Sequence, residues 1–237
     1  MKRNLSNPNW VLIIMDNVAQ LRLLQLTSPA LPIGSYMYSQ GLEAAIEHGI
    51  INNETETESW LLGMLKHSLC YQDLPLFIRL YSAWQESDEI QLRYWTQQLL
   101  ASRESAELRS EDRKVGRALA KVLSQQGVSC AAEWEHAEIV TLPTMFSLAT
   151  VRWNIPLTAA MNGYLWTWLE NQIAAAIKII PLGQSAGLRL QSHGIANIPA
   201  VVEKSLQIQD NDIGFSAPSF AMLSAHHEVQ YSRLFQS

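Results

Sequence analysis

Residues 28–43 constrain this chain more tightly than any other stretch. Pro29, Pro32 and Gly34 fall within six residues, followed by Ser35, Tyr36, Met37, Tyr38, Ser39, Gln40, Gly41, Leu42 and Glu43. Each proline pins its own φ and disfavours helix at the residue before it, so the segment must be an extended, sharply turned connection. The apolar run before it, Leu21, Leu23, Leu24 and Leu26, reads as a helix that the prolines end. A second helix, capped by Ser35 or Ser39, runs towards Gly49. Tyr36 and Tyr38 are thereby held between two helices. They serve either as anchors for another surface or as lids on the domain's own core, and composition favours the core.

The remainder of the chain predicts helix. Apolar residues recur every three or four positions over 56–85, from Trp60 and Leu61 to Phe77 and Leu80, with Pro75 as a kink or boundary. Further helices are expected over 90–101, 103–124, 131–139, 144–153 and 156–180, and in the last forty residues. Breaks fall at Gly127, Leu142-Pro143, Pro181-Leu182-Gly183 and 211–216. With no linker, repeat or low-complexity tract, this describes an all-α, single-domain helical bundle of about ten helices. Residues 156–180 are apolar on nearly every side. Asn162, Glu170, Asn171, Gln172 and Lys178 interrupt them, so a buried central helix is expected rather than a membrane span. Gly163 and Ala159-Ala160 permit close approach of another helix, from the same core or from a second copy.

Composition narrows the function. Charged residues make up 16% of the chain, against about 25% in an ordinary soluble protein, which suits surface buried in a complex. A net charge of −5 opposes general nucleic-acid binding. The two cysteines, Cys70 and Cys130, exclude a disulfide framework. Lys2 and Arg3 precede an apolar run, 10–15, that is too short for a signal sequence, so a cytoplasmic protein is expected. Residues 1–14 carry no helical period and read as a disordered extension, with Met15 as the natural start and a single domain over 15–237.

On a wheel of about 100° per residue, Glu104 and Glu111 share the apolar face of the 103–124 helix with Leu108, Val115, Leu119 and Val122. A carboxylate there needs a cation, and Arg152 and Arg189 are the expected partners in a structural ion pair. Arg109, Arg113 and Arg117 line the opposite side, either as a solvated face or as a dock for an acidic partner.

No Walker loop, dinucleotide fingerprint, nucleophile elbow or zincin pair occurs, so no catalytic residue and no cofactor is assigned. His67 and Cys70 lie one helical turn apart, and His226 and His227 are adjacent. Two ligands do not close a metal site, and no metal ligand is assigned. An α-helical metal-binding protein or enzyme assembled from these distant residues is the alternative reading.

Four blocks, in order, carry a resemblance: 28–43; 103–109 (Arg-Glu-Ser-Ala-Glu-Leu-Arg); 171–184; and 227–235 (His-Glu-Val-Gln-Tyr-Ser-Arg-Leu-Phe). Together they resemble the UreF family of urease accessory proteins. That resemblance implies a homodimeric, non-enzymatic adaptor between the urease-binding scaffold UreD (UreH in some systems) and the GTPase UreG, working on apo-urease during nickel insertion. By the same resemblance, Tyr36 and Arg233 shape the GTPase-recruiting surface. Gly34, Ser35, Tyr38, Arg109 and Arg113 complete the expected contacts. The tail, with His227, Tyr231, Leu234 and Phe235, becomes ordered on the scaffold.

Overall fold

Proline and side-chain caps divide the apolar periodicity into ten α-helices among the residues that the computed structural model describes, 15–214 and 218–237. The expected extension over 1–14 lies outside the described residues. Helix α1 (Asn17–Leu26) stops before Pro29, and a 3-10 turn, Ser35–Met37, occupies the stiff connection. There follow α2 (Leu42–Glu47), α3 (Glu54–Gly63), a π-helical segment Met64–Leu69, α4 (Asp73–Glu86), α5 (Glu89–Ala101) and α6 (Ala106–Gln125). A 3-10 turn, Ser129–Trp134, leads to α7 (Leu142–Arg152), α8 (Leu157–Ile179), α9 (Gln184–Ser205) and α10 (Pro218–His227). The all-α expectation holds.

The caps explain the boundaries. Side-chain oxygens of Asn53, Asp88, Ser105 and Thr141 accept the N–H three residues on, opening α3, α5, α6 and α7. Ser105 thus starts α6 after Glu104, whereas periodicity alone carried that helix back to Arg103. Pro75 lies in the first turn of α4, where a missing N–H breaks no helical bond. The helix expected over 131–139 is replaced by the 3-10 turn, and Val140 and Thr141 lead directly into α7.

α8 is the central element, packed against α9, α2, α4, α7 and α3. Its Met161, Leu165, Leu169, Ile173 and Ala176 are buried. A Cβ on Gly163 would sit 2.7 Å from Leu23 Cδ1 and 3.1 Å from Thr27 Cγ2, so this close approach is made within the chain, by α1. At Gly116 of α6 a Cβ would lie 2.7 Å from the Thr141 carbonyl carbon, which seats α6 against the start of α7. A smaller apolar cluster, Leu42, Ala45, Ile51, Ala176, Ile180, Leu223 and Phe235, joins α2, α8, α10 and the tail. No described helix is long and apolar enough to cross a membrane.

Candidate functional site

Positive φ at Gly34 (75°) and Gly41 (78°) brackets the stiff connection, a conformation that side chains resist and glycine accepts. Between them the two tyrosines separate. Tyr36 is 60% exposed, while Tyr38 is 3% exposed and belongs to the core. Asn171 Nδ2 of α8 donates to the Ser35 carbonyl at 2.6 Å. Gln40 accepts from Trp168 Nε1 and donates to Glu111 Oε1, both at 2.7 Å. The loop is therefore tied to α8 and α6.

Residues 233–237 lie along this loop. The N–H groups of Leu234 and Phe235 donate to the two oxygens of Glu43, at 2.7 and 3.0 Å. Gln236 N donates to the Met37 carbonyl at 2.8 Å, and Ser39 N to the Ser237 carbonyl at 2.8 Å. His227 is fully buried between Glu43 Oε2 (3.1 Å) and Glu107 Oε2 (2.6 Å), and Glu107 also receives Arg233. Glu228 accepts Ala106 N at 2.6 Å at the start of α6, the favourable end of a helix for a carboxylate. Phe235 is buried beneath Lys178, whereas Leu234 is 72% exposed and Tyr231 fully exposed. Tyr36, Tyr231 and Leu234 are thus left exposed on the two segments that this polar clasp joins, with Arg233 part of the clasp.

Under the clasp is a buried charge cluster around a cavity of about 40 Å³. Arg103 donates to both oxygens of Asp73 (2.6 and 3.1 Å) and to Asp112, and Tyr164 Oη donates to Asp73 at 3.1 Å. Burial opposes the guanidinium charge, yet Asp112 and Asp73 hold Arg103 well above its ordinary value. Burial raises Asp112 even beside Arg103, and burial with Asp73 drives Tyr164 well up. Burial pushes Glu111 up to about 7, against hydrogen bonds from Gln40 and Ser237.

A family model for UreF matches residues 51–194. The urease accessory protein UreF of Alkalilimnicola ehrlichii is 47% identical over 220 residues, 93% of this chain and 96% of that protein. Its counterpart in Hahella chejuensis is 44% identical over 223 residues, 94% and 100%. Urease accessory protein UreF 2 of Brucella anthropi is 42% identical over 217 residues, 92% and 96%. The chain belongs to the UreF family.

Two expectations about charge are corrected in this UreF fold. Neither Glu104 nor Glu111 pairs with Arg152 or Arg189: Arg189 binds Glu54, at 2.7 Å to each oxygen, and Arg152 reaches Cys130 Sγ. Arg103, adjacent to Glu104 in sequence, engages Asp73 and Asp112 instead. Glu111 is held by neutral donors, Gln40 and Ser237, and both carboxyl oxygens of Glu104 are buried without a hydrogen-bond partner. The arginine stripe is neither free nor wholly solvated. Arg109, Arg113 and Arg117 donate to the chain's own carbonyls at Arg103, Glu138 and Ala137.

The histidine and cysteine pairs diverge. His67 is exposed on the π segment while Cys70 is buried with Sγ 3.7 Å from the Val201 carbonyl. His227 turns inward to the acids, and His226 turns outward. Among the described residues no group of three or more His, Cys, Asp or Glu side chains is placed to hold a metal ion. Glu43 and Glu107, which organise the clasp, escaped the sequence reading although both stand inside its quoted blocks. The one available signal is that Glu43 and Glu107 each stand in a block that carries the family resemblance.

Proposed function

We propose that this UreF-family chain is a non-enzymatic urease accessory protein of the cytoplasm. It acts as a homodimeric adaptor between the UreD/UreH scaffold and the UreG GTPase while nickel is inserted, with GTP turnover, into apo-urease. One observation carries the reading. The loop bearing exposed Tyr36 and the tail bearing Arg233, Tyr231 and Leu234 are hydrogen-bonded to each other, which supports reading their aromatic and cationic side chains as one partner surface. The tail, expected to become ordered on the scaffold, is instead held by its own chain at Glu43 and Met37, and an anchor already fixed loses little entropy when a partner arrives. Arg233 adds planar donors suited to a carboxylate or backbone oxygen. Gly34 and Ser35 shape the turn under Tyr36, while Tyr38, His227 and Phe235 support the surface from below. Arg109 and Arg113, bonded to the chain's own carbonyls, brace α6 behind it. The names of the relatives, each a urease accessory protein, support the pathway assignment.

The test is co-expression with the host's UreD and UreG homologues, followed by size-exclusion chromatography with light scattering. A complex containing two copies of this chain is expected, and a lone monomer with and without nucleotide overturns the reading. Arg233→Ala and Tyr36→Ala are expected to reduce GTPase recovery without unfolding the chain. The exposed Arg233–Glu107 contact contributes about 1 kcal/mol at most. Undiminished recovery of the GTPase by both variants would count against the assigned surface.

A further inference from the structure

His227 ends α10 with its ring fully buried, and its two nitrogens face different carboxylates. Nδ1 lies 2.6 Å from Glu107 Oε2 of α6, and Nε2 lies 3.1 Å from Glu43 Oε2 of α2. Both distances are hydrogen-bond distances, so each contact needs a proton between nitrogen and oxygen. A neutral imidazole brings one N–H and one lone pair, and an ionised carboxylate brings no proton at all. These three groups in their neutral and ionised forms are therefore one proton short of the arrangement observed. Both carboxylates are otherwise engaged as acceptors. Glu43 takes the Leu234 and Phe235 N–H groups on its two oxygens, and Glu107 takes Arg233 on Oε1. The additional proton accordingly sits on the ring, an imidazolium that donates at both ends.

The same two carboxylates hold the tail. Without the ring's second proton they would face a nitrogen lone pair, with Arg233 as the one cation bonded to them among the described residues. The other charged and titratable groups around the tail do not replace it. Lys178 of α8 lies over the Phe235 ring, Glu228 accepts Ala106 N, and His226 turns to His48 of the α2 end, nitrogen to nitrogen at 3.3 Å. At the far end Ser237 Oγ bonds Glu111, around which stand Tyr38, Arg103, Asp112, Asp73 and Tyr164. Burial has pushed Glu111 up to about 7, so rising pH adds negative charge there as well.

We propose that residues 228–237 are fastened by a proton-operated latch, in which the His227 imidazolium bridges α2 and α6 and loss of its second proton frees the tail from the loop. The bonds from Gln236 to Met37 and from Ser39 to Ser237 open with it, so the setting of Tyr36 changes too. The latch is built from this chain's own contacts and does not depend on the adaptor reading.

The test uses the full chain with Glu111→Gln as background, which leaves His227 as the titrating fastener. Hydrogen exchange at the Leu234 and Phe235 amides, referred to buried amides of α8, is followed from about pH 6 to about pH 8.5, a range that spans the ordinary imidazole value. Protection of the tail is expected to fall about tenfold or more. With Glu107→Gln added, the change is expected to stay below about twofold. The new amide donates to Nδ1, its carbonyl still accepts Arg233, and a neutral ring then donates from Nε2 to Glu43. A merely structural glutamate would be missed equally at every pH. On the unsubstituted chain, ¹⁵N spectra of labelled histidine at about pH 6 are expected to show both His227 ring nitrogens protonated. A neutral His227 ring in that spectrum, tail protection that is flat with pH, or an equal alkaline loss in the Glu107→Gln chain overturns the proposal.

Discussion

Replacing Glu111 by glutamine should stabilise this protein at alkaline pH and leave it nearly unchanged in mild acid. The carboxyl group titrates near 7 in the folded chain, against 4.5 ordinarily, because burial penalises its charge. Its acid form fits the site. In the charged form one oxygen accepts from Gln40 Nε2 and the other from Ser237 Oγ; once protonated, the second oxygen can donate to the Ser237 hydroxyl, which turns to accept. Glutamine reproduces both contacts through its carbonyl and its NH₂ group. Folding therefore takes up a proton between pH 4.5 and about 7. Glu111's contribution is fully present below the lower value and is lost as pH rises through the upper one. A raised value of this size corresponds to about 3 kcal/mol. Urea unfolding followed by tryptophan fluorescence should thus show Glu111→Gln more stable than wild type by up to about 3 kcal/mol at pH 8. Near pH 5 the difference should shrink below about 1 kcal/mol. A stability difference that is flat from acid to alkaline pH would refute the argument.

Arg103→Met leaves Asp73 and Asp112 buried without their cation, so a loss of about 3–5 kcal/mol at neutral pH is expected. In thermal melts this is about 6–20 °C, and the loss should shrink in acid as the carboxyls take up protons. A melting shift under about 2 °C would remove the cluster from any account of stability. Gly116→Ala drives a methyl into the Thr141 backbone, which cannot rotate away as a side chain can. About 1–3 kcal/mol of destabilisation is expected by urea denaturation, and a neutral result would mean that α6 and α7 separate easily.

The fold was largely legible because helix period, proline and caps are local signals. Pro29 and Pro32 marked the loop, and the break at 181–183 separated α8 from α9 as expected. The errors have local causes too. Ser105 moved the start of α6 past Glu104, which removed that residue from the face on which a wheel had placed it. The ion-pair partners failed for a different reason. Which carboxylate Arg103 reaches depends on α4, some thirty residues away, and no periodicity encodes that choice. The clasp was half legible: its blocks stood out, yet Glu43 and Glu107 take their roles only when His227 and Arg233 are brought to them by tertiary folding. His48 and His226 show the same limit, since 178 residues separate two rings whose nitrogens face each other.

The hydrogen bond between Ser39 and Ser237 closes a loop of 198 residues. Closure entropy grows only logarithmically with length, so the long separation adds little to the thermodynamic cost. It matters for timing, because contacts this far apart in sequence form slowly. During synthesis the proline-stiffened segment emerges early and must wait for the tail's bonds to Glu43 and Glu111 until residues 233–237 have been made. The loop that bears Tyr36 therefore acquires its full set of bonds only on a chain that has been translated through Ser237, and a polypeptide interrupted before residues 233–237 would present Tyr36 on a loop that lacks the bonds at Met37 and Ser39.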